Sequence, residues 1–337
     1  MRLTGAGHAL GDTAVSNEDV ARAHGLAPSW YEKRTGITTR RVSGSKEDAG
    51  SLAIAALQRA LDDADLDPGD LGQETVLLHV QNGFTHFTPP AGIVLAARLG
   101  LHQVRVMGLD GVCAEPVSAI DQALLMLSAG RCERAIVSAS VDFLSYLDPS
   151  DRDTAGLFGS GAGAIVLERV GQSPDWQPPV GEIPLRVHAL EWETHAEHWD
   201  MGEIPLHEVR QEGDGLVLRS GFYTMRGQSL YRVFLDYVPP LVSRTLAAAG
   251  WSADEVDLVV SHQPNPRLLE LSFGKLGLRP EVVPMPGRVL GNMGPASLLV
   301  NLSMACERGD LTPGSRVLLL AFGLGFSCGV VAVEVAA

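Results

Sequence analysis

The sequence predicts an α/β protein made of two related halves, stacked as an α/β/α/β/α sandwich. Three observations carry that expectation. Runs rich in Val, Ile and Leu alternate with Ala/Leu-rich helical stretches, the pattern of parallel sheets covered on both faces. The same order of elements occurs twice. Glycine is abundant, at 37 of 337 residues, and aromatic residues make up only 6%, which suits many tight strand–helix turns. The halves divide at residues 1–170 and 171–337.

In the first half, Leu52, Ala55, Ala56 and Ala60 predict a helix over Ser51 to Ala64. A turn-rich stretch, Asp65 to Leu71, leads to a strand over Thr75 to Asn82. Val104 to Leu109 is a second buried strand. Val117, Ile120, Leu124 and Leu127 recur at helical spacing, with Pro116 in the first turn and Gly130 at the end. Two more strands follow, Arg134 to Ala139 and the glycine-rich Phe158 to Leu167.

The second half repeats this. Leu241 to Ala249 is the Ala/Leu helix, and Asp257 to Asn265 is the strand after it. Gly274-Lys275-Leu276-Gly277-Leu278 matches Ala97-Arg98-Leu99-Gly100-Leu101 and predicts a further strand before the turn Gly291 to Pro295. A helix over Ala296 to Glu307 follows, then two strands, Val317 to Ala321 and Phe322 to Val331. Residues 171–222 break the pattern. Rich in Pro, Trp, His and Glu, they read as an inserted connection able to cover a pocket.

Composition excludes some functions. A net charge of −14 argues against nucleic acid, and an acidic partner needs a local basic patch. No apolar run is as long as a membrane span, and the N-terminus lacks a secretory signal pattern. The four cysteines lie far apart with no C-x-x-C pair, against a disulfide framework or zinc site, and a reducing cytoplasm is expected. Glu191 to Asp200 holds His195 and His198 among acids. With no second ligand cluster it reads as a polar cover, not a metal site.

Cys113 lies where a strand turns sharply into a helix. N–H groups and the dipole there favour a thiolate, and such a cysteine is either a nucleophile or a small core residue. The repeat brings two more groups toward it: His262 at a strand end, and Asn292 on the turn equivalent to the cysteine elbow. An imidazole and an amide can both donate to one carbonyl oxygen and stabilise an enolate. Alone, each is equally a structural residue.

These residues and their surroundings resemble the ketoacyl synthase III family of the thiolase fold. The resemblance rests on Trp30 with Arg34-Thr35-Gly36-Ile37, Cys113, Asp148-Pro149-Ser150-Asp151-Arg152, Leu157 to Ala164, His262-Gln263-Pro264-Asn265-Pro266-Arg267, Gly291-Asn292, and Ala321 to Phe326. It implies the thiolase fold and a cysteine-bound acyl group condensed with a malonyl-type thioester. Cys113, His262 and Asn292 are then catalytic, and the backbone N–H groups of Cys113 and Leu324 form the oxyanion hole. Trp30 and Arg152 flank the coenzyme A adenine, with Arg34 near phosphate. Arg267 docks an acyl carrier protein. Coenzyme A and carrier-protein thioesters are substrates, with no metal or other cofactor. A homodimer is implied, with His86 and Phe87 near the partner's pocket.

There are departures. Ala114-Glu115-Pro116 replaces the family's small residue, Gly and aromatic. Glu115 either faces inward, raising the thiol pKa or binding the acyl chain, or outward as a first-turn acid. Leu324 narrows the pocket or alters its turn. Alternatives are an acyltransferase to an alcohol or amine, and a non-catalytic subunit of a heterodimeric synthase. The departures favour polyketide or other specialised metabolism over housekeeping fatty-acid initiation.

Overall fold

The computed structural model describes residues 1–44, 48–82, 88–170 and 181–336. The first half runs β1 (Arg2–Leu10), β2 (Thr13–Ser16), α1 (Asn17–His24), α2 (Ser29–Thr35), β3 (Thr39–Val42), α3 (Ala49–Asp63), β4 (Thr75–Asn82), α4 (Ala91–Leu99), β5 (Arg105–Asp110), α5 (Glu115–Ser128), β6 (Arg134–Val141) and β7 (Gly161–Glu168). The second runs β8 (Ile183–Thr194), β9 (Gly202–Glu203), β10 (Leu206–Glu212), β11 (Gly215–Ser220), β12 (Thr224–Met225), α6 (Gly227–Ala249), β13 (Leu258–Ser261), α7 (Pro266–Leu276), α8 (Gly287–Leu290), α9 (Ala296–Arg308), β14 (Arg316–Gly323) and β15 (Ser327–Val335).

Apolar faces decide the layers. Ala56, Leu57, Ala60 and Leu61 of α3 and Leu95 and Ala96 of α4 bury against the outer face of the first-half strands. Val238, Leu241 and Val242 of α6 and Leu269 and Phe273 of α7 do the same for the second half. Between the halves lies a third core. There Val117, Ile120 and Leu127 of α5 and Leu298, Leu299 and Leu302 of α9 meet strands from both sides. Helices, strands, helices, strands, helices give the five expected layers.

The sheet order is β13-β14-β15-β8-β1-β7-β6-β4-β5, and the two halves join through a short β1–β8 pairing. Around that join the order mirrors itself: β1 with β8, β7 with β15, β6 with β14, β4 with β13. The repeat legible in the sequence is this mirror.

Four expectations need correction. The strand expected to be buried over Val104 to Leu109 is β5, an edge of the main sheet with Met107 exposed. The sheets are mixed, not parallel. Among the described residues, β4–β5, β4–β6 and β13–β14 are the parallel strand pairs of the main sheet, while β1–β7, β1–β8, β6–β7, β14–β15 and β8–β15 are antiparallel. A tight turn joins β14 to β15, and such a turn can only return the chain antiparallel. The second-half strand expected before Gly291 does not form. Pro280, Pro284 and Pro286 cannot donate to a ladder, and the segment instead makes one 3-10 turn, Pro280–Val282, and the short α8. Residues 181–222, the described part of the expected 171–222 insertion, are not patternless either. β8 is a twelve-residue strand of the main sheet, paired with β15. Leu185, Val187 and Ala189 alternate with Arg186 and His188, a period of two that the polar residues around it masked.

The layering places the site. Cys113 immediately precedes Ala114 at the start of α5, His262 follows β13, and Asn292 precedes α9. Both central helices therefore begin at one end of the molecule.

Candidate active site

Cys113 is held on its elbow by the first turn of α5. The N–H of Glu115 donates to Val112 O at 3.0 Å, and that of Val117 to Ala114 O at 3.0 Å. From the second half, Gly323 at the end of β14 presses on it. A Cβ on Gly323 would stand 2.7 Å from the Cys113 Cβ, so only glycine permits the approach. The next residue, Leu324, lines the same cavity, and its side chain leans on β9, within 2.8 Å of where a Cβ on Gly202 would lie. This is how the leucine is accommodated in the turn.

His262 is buried at the end of β13, its N–H donating to Leu320 O at 2.8 Å. Neither ring nitrogen has a hydrogen-bond partner among the described residues. Phe322 stands edge-on to the ring at 5.6 Å. The next side chain, Gln263, donates to Pro284 O at 2.7 Å and accepts from Gly287 N–H at 2.9 Å, which ties the strand end to α8.

Asn292 is pinned by the first half. Its N–H donates to Leu157 O at 2.8 Å, and its O accepts from Gly159 N–H at 2.9 Å, a parallel bridge with Phe158. Its side-chain Oδ1 accepts from Gly294 N–H at 2.9 Å. That bond fixes the amide and leaves the Nδ2 donors for the cavity it lines.

The cavity holds about 980 Å³ and is lined by Cys113, His262 and Asn292 together. Phe143, Leu157 and Phe158 supply part of its apolar wall, and Trp199, Ile204 and Phe222 close it from the second half. The mouth carries Trp30, Arg34, Asp148, Asp151 and Asp153. The Arg34 guanidinium lies 4.3 Å from the Trp30 ring centre, and that of Arg152 at 5.8 Å. Arg34 also approaches Asp153 at 3.9 Å.

Not every candidate reaches the cavity. Glu115 is half-buried and folds back over Gly111, away from the cavity lining. Burial, outweighing a Ser118 hydrogen bond, raises its carboxyl above the usual range. Arg152 and Arg267 also lie outside the lining, and Arg267 pairs with Glu270 at 3.7 Å. His86 and Phe87 fall outside the described residues. Tyr223, Met225 and Tyr231 line the cavity and were missed from sequence, because nothing in their spacing announced that β12 and α6 turn back onto the elbow. The cluster around Glu193 is an ion-pair network with His195 and Arg244. No metal-binding group occurs among the described residues.

Burial sets the electrostatics. It pushes the Cys113 thiol up to about 12 and the His262 imidazole down to about 3. The resting pair is therefore a neutral thiol and a neutral imidazole. The thiolate expected at the start of α5 is therefore not favoured: a backbone hydrogen bond at Cys113 opposes the push of burial without reversing it.

The architecture defines a thiolase-fold enzyme. The 3-oxoacyl-(acyl carrier protein) synthase III of Pseudomonas aeruginosa has the same fold. It matches with a TM-score of 0.84 at 26% identity, over 100% of this chain and 98% of its own. So does the priming β-ketosynthase from the R1128 polyketide biosynthetic pathway, with a TM-score of 0.84 at 25% identity, over 99% of this chain and 96% of its own. The family model "3-oxoacyl-[acyl-carrier-protein (ACP)] synthase III" matches residues 107–177, and its C-terminal counterpart matches 246–335. A β-ketoacyl-[acyl-carrier-protein] synthase III of Chelativorans sp. is 31% identical, over 98% of this chain and 97% of its own length. The chain belongs to the β-ketoacyl-[acyl-carrier-protein] synthase III family.

A neutral Cys113–His262 pair makes a testable statement about pH. Iodoacetamide modification of Cys113 should accelerate about tenfold per pH unit between roughly pH 7 and 9, as the thiolate fraction grows. A rate already level below pH 7 would show a preformed thiolate–imidazolium pair and contradict it.

Proposed function

We propose that the protein is a condensing enzyme that joins a cysteine-bound acyl group to a malonyl-type thioester with loss of CO2. The observation that carries this is the convergence of Cys113 with two neutral hydrogen-bond donors, His262 and Asn292, in one cavity. In the first step the Cys113 sulfur forms a bond to the acyl carbonyl carbon, and the donor thiol departs with the proton. The malonyl C–C bond then breaks to release CO2. Its electron pair becomes an enolate whose oxygen accepts from the His262 ring N–H and Asn292 Nδ2. The enolate carbon attacks the acyl-cysteine, whose oxyanion lies in the backbone pair of Cys113 and Leu324. The C–S bond breaks, and the departing Cys113 thiolate takes up one proton from solvent by way of His262, which regenerates the neutral thiol. No fixed positive charge is needed beside the enolate, which fits an imidazole kept neutral by burial.

The substrates are coenzyme A and acyl-carrier-protein thioesters. Trp30, with Arg34 and Arg152, offers a planar stack and cations for an adenine and its phosphates. An acidic carrier protein meets Arg34, Arg267 and Arg288 on α2, α7 and α8. These elements are tied together by Asn265 Nδ2 to Arg34 O at 3.3 Å and Thr38 N–H to Arg288 O at 2.7 Å. Arg267 and Arg288 share Glu270 and Arg34 approaches Asp153, so the three arginines outnumber their acidic partners and leave a modest local excess of positive charge on a chain of net charge −14. Leu324 and the unusual sequence after Cys113 support a role in polyketide or other specialised metabolism. The second reading, acyl transfer to an alcohol or amine, draws on the carboxylates of Asp148, Asp151, Asp153 and Glu203 in the lining, which suit a cationic acceptor.

Labelled CO2 release separates the two. Asn292→Ala should slow CO2 release from a malonyl thioester about a hundredfold, the loss of about 3 kcal/mol for one oxyanion donor, while leaving Cys113 acylation nearly intact. His262→Ala should be slower still, since it also removes the proton-handling group. An acylated wild type that releases no CO2 with any malonyl donor, and acylates an alcohol or amine instead, replaces this reading with the second.

The assembly proposed is a homodimer formed through β5. This strand ends the main sheet, and Met107 on it is exposed. An edge strand with an unpaired ladder is a template for its own copy. Solution scattering at micromolar concentration should give twice the 35.8 kDa chain mass, and Met107→Lys should shift it toward monomer. A wild-type monomer contradicts the assembly.

A further inference from the structure

Tyr223 has no part in the scheme above, yet it lies beside the nucleophile. Its N–H donates to Tyr146 O at 2.8 Å. Its ring stands edge-on to Phe143 and Phe158, with centres 5.0 and 5.4 Å away. It packs in one apolar cluster with Met293 and Leu324, the residues that follow Asn292 and Gly323. The residue is only 6% exposed, and it lines the cavity with Cys113. The phenol is thus fixed in position.

Its hydroxyl has no hydrogen-bond partner among the described residues. Tyr231, lining the same cavity, pairs instead with Ser272 at 3.1 Å. The hydroxyl opens on the cavity, where a ligand oxygen that displaces solvent can accept its hydrogen bond. Burial, and then the neighbouring Cys113, raise the phenol above its ordinary pKa, so it stays protonated and acts as a donor. The two thioester oxygens already have partners, one in the backbone hole and one at His262 and Asn292. The hydroxyl is free for a third oxygen.

Resting on the condensing reading, we propose that Tyr223 selects acyl groups carrying a ketone or hydroxyl oxygen beyond the thioester carbonyl. Phe143 and Phe158 hold the rest of such a chain by apolar contact. A plain alkyl chain in the same place leaves the hydroxyl unpaired and is disfavoured. Sites built around a hydrogen bond discriminate in this way against analogues lacking the polar group.

The test compares wild type with Tyr223→Phe, which keeps the ring packing. Acetoacetyl-, 3-hydroxybutyryl- and 4-oxopentanoyl-CoA are set against butyryl- and pentanoyl-CoA, and the rate of acyl addition to Cys113 is read by intact mass. At least one oxygenated donor should load about tenfold to a hundredfold faster than its alkyl counterpart on wild type. On Tyr223→Phe that ratio should fall to about one. Equal loading by wild type, or a ratio unchanged in the variant, overturns the selection while leaving the condensing reading standing. A uniform loss with every donor assigns the hydroxyl to the thiol or thioester and also overturns it. If no donor loads Cys113 at all, the condensing reading falls and this inference with it.

Discussion

The site depends on a backbone contact between the halves. Asn292 exchanges hydrogen bonds with Leu157 and Gly159, at 2.8 and 2.9 Å, as if it were one residue of a strand laid beside the first half. Backbone bonds of this kind are short and directional, and they leave the Asn292 side chain little freedom to move relative to the other half. Gly323 completes the clamp by lying directly on Cys113. The proposed nucleophile and donors therefore come from different halves, yet two close approaches set their relation. Reacting groups must be held near attack geometry, and rigid elements do this better than mobile loops.

Burial then gives the site its chemical character. A thiol pushed up and an imidazole pushed down remain uncharged in the free enzyme, so the cavity carries no ion pair between them. Neutral donors suffice where negative charge appears only on the way to product. Their strength comes from the exclusion of water and from being aligned before the charge develops. The charges of the site are kept to the mouth, where Arg34 and the aspartates meet solvent. In the proposed reaction, binding of a charged thioester handle and chemistry at its apolar end are thereby separated in space.

Much of this was legible in the sequence. The repeat gave the layers, and the two turn residues ahead of the central helices, Cys113 and Asn292, pointed to one site because they occupy equivalent places in the halves. His262 could be placed with them because its strand, β13, is the counterpart of β4. Other features needed three dimensions. The polar stretch around β8 concealed a main-sheet strand. Three prolines removed a strand that the repeat called for. Glu115 was readable as an acid near the cysteine, but its direction depends on how the side chain folds over Gly111. Tyr223 gave no signal, because its role arises from where β12 returns and not from any pattern around it.

The central claim is that Cys113, placed between the two halves, is the residue that carries the acyl group. Peptide mass spectrometry after mixing the protein with an acyl-coenzyme A tests it most directly. One acyl adduct is expected, on the peptide containing Cys113, and Cys113→Ala should fold normally and carry none. An adduct on Cys306 or Cys328 that persists in Cys113→Ala would contradict the account.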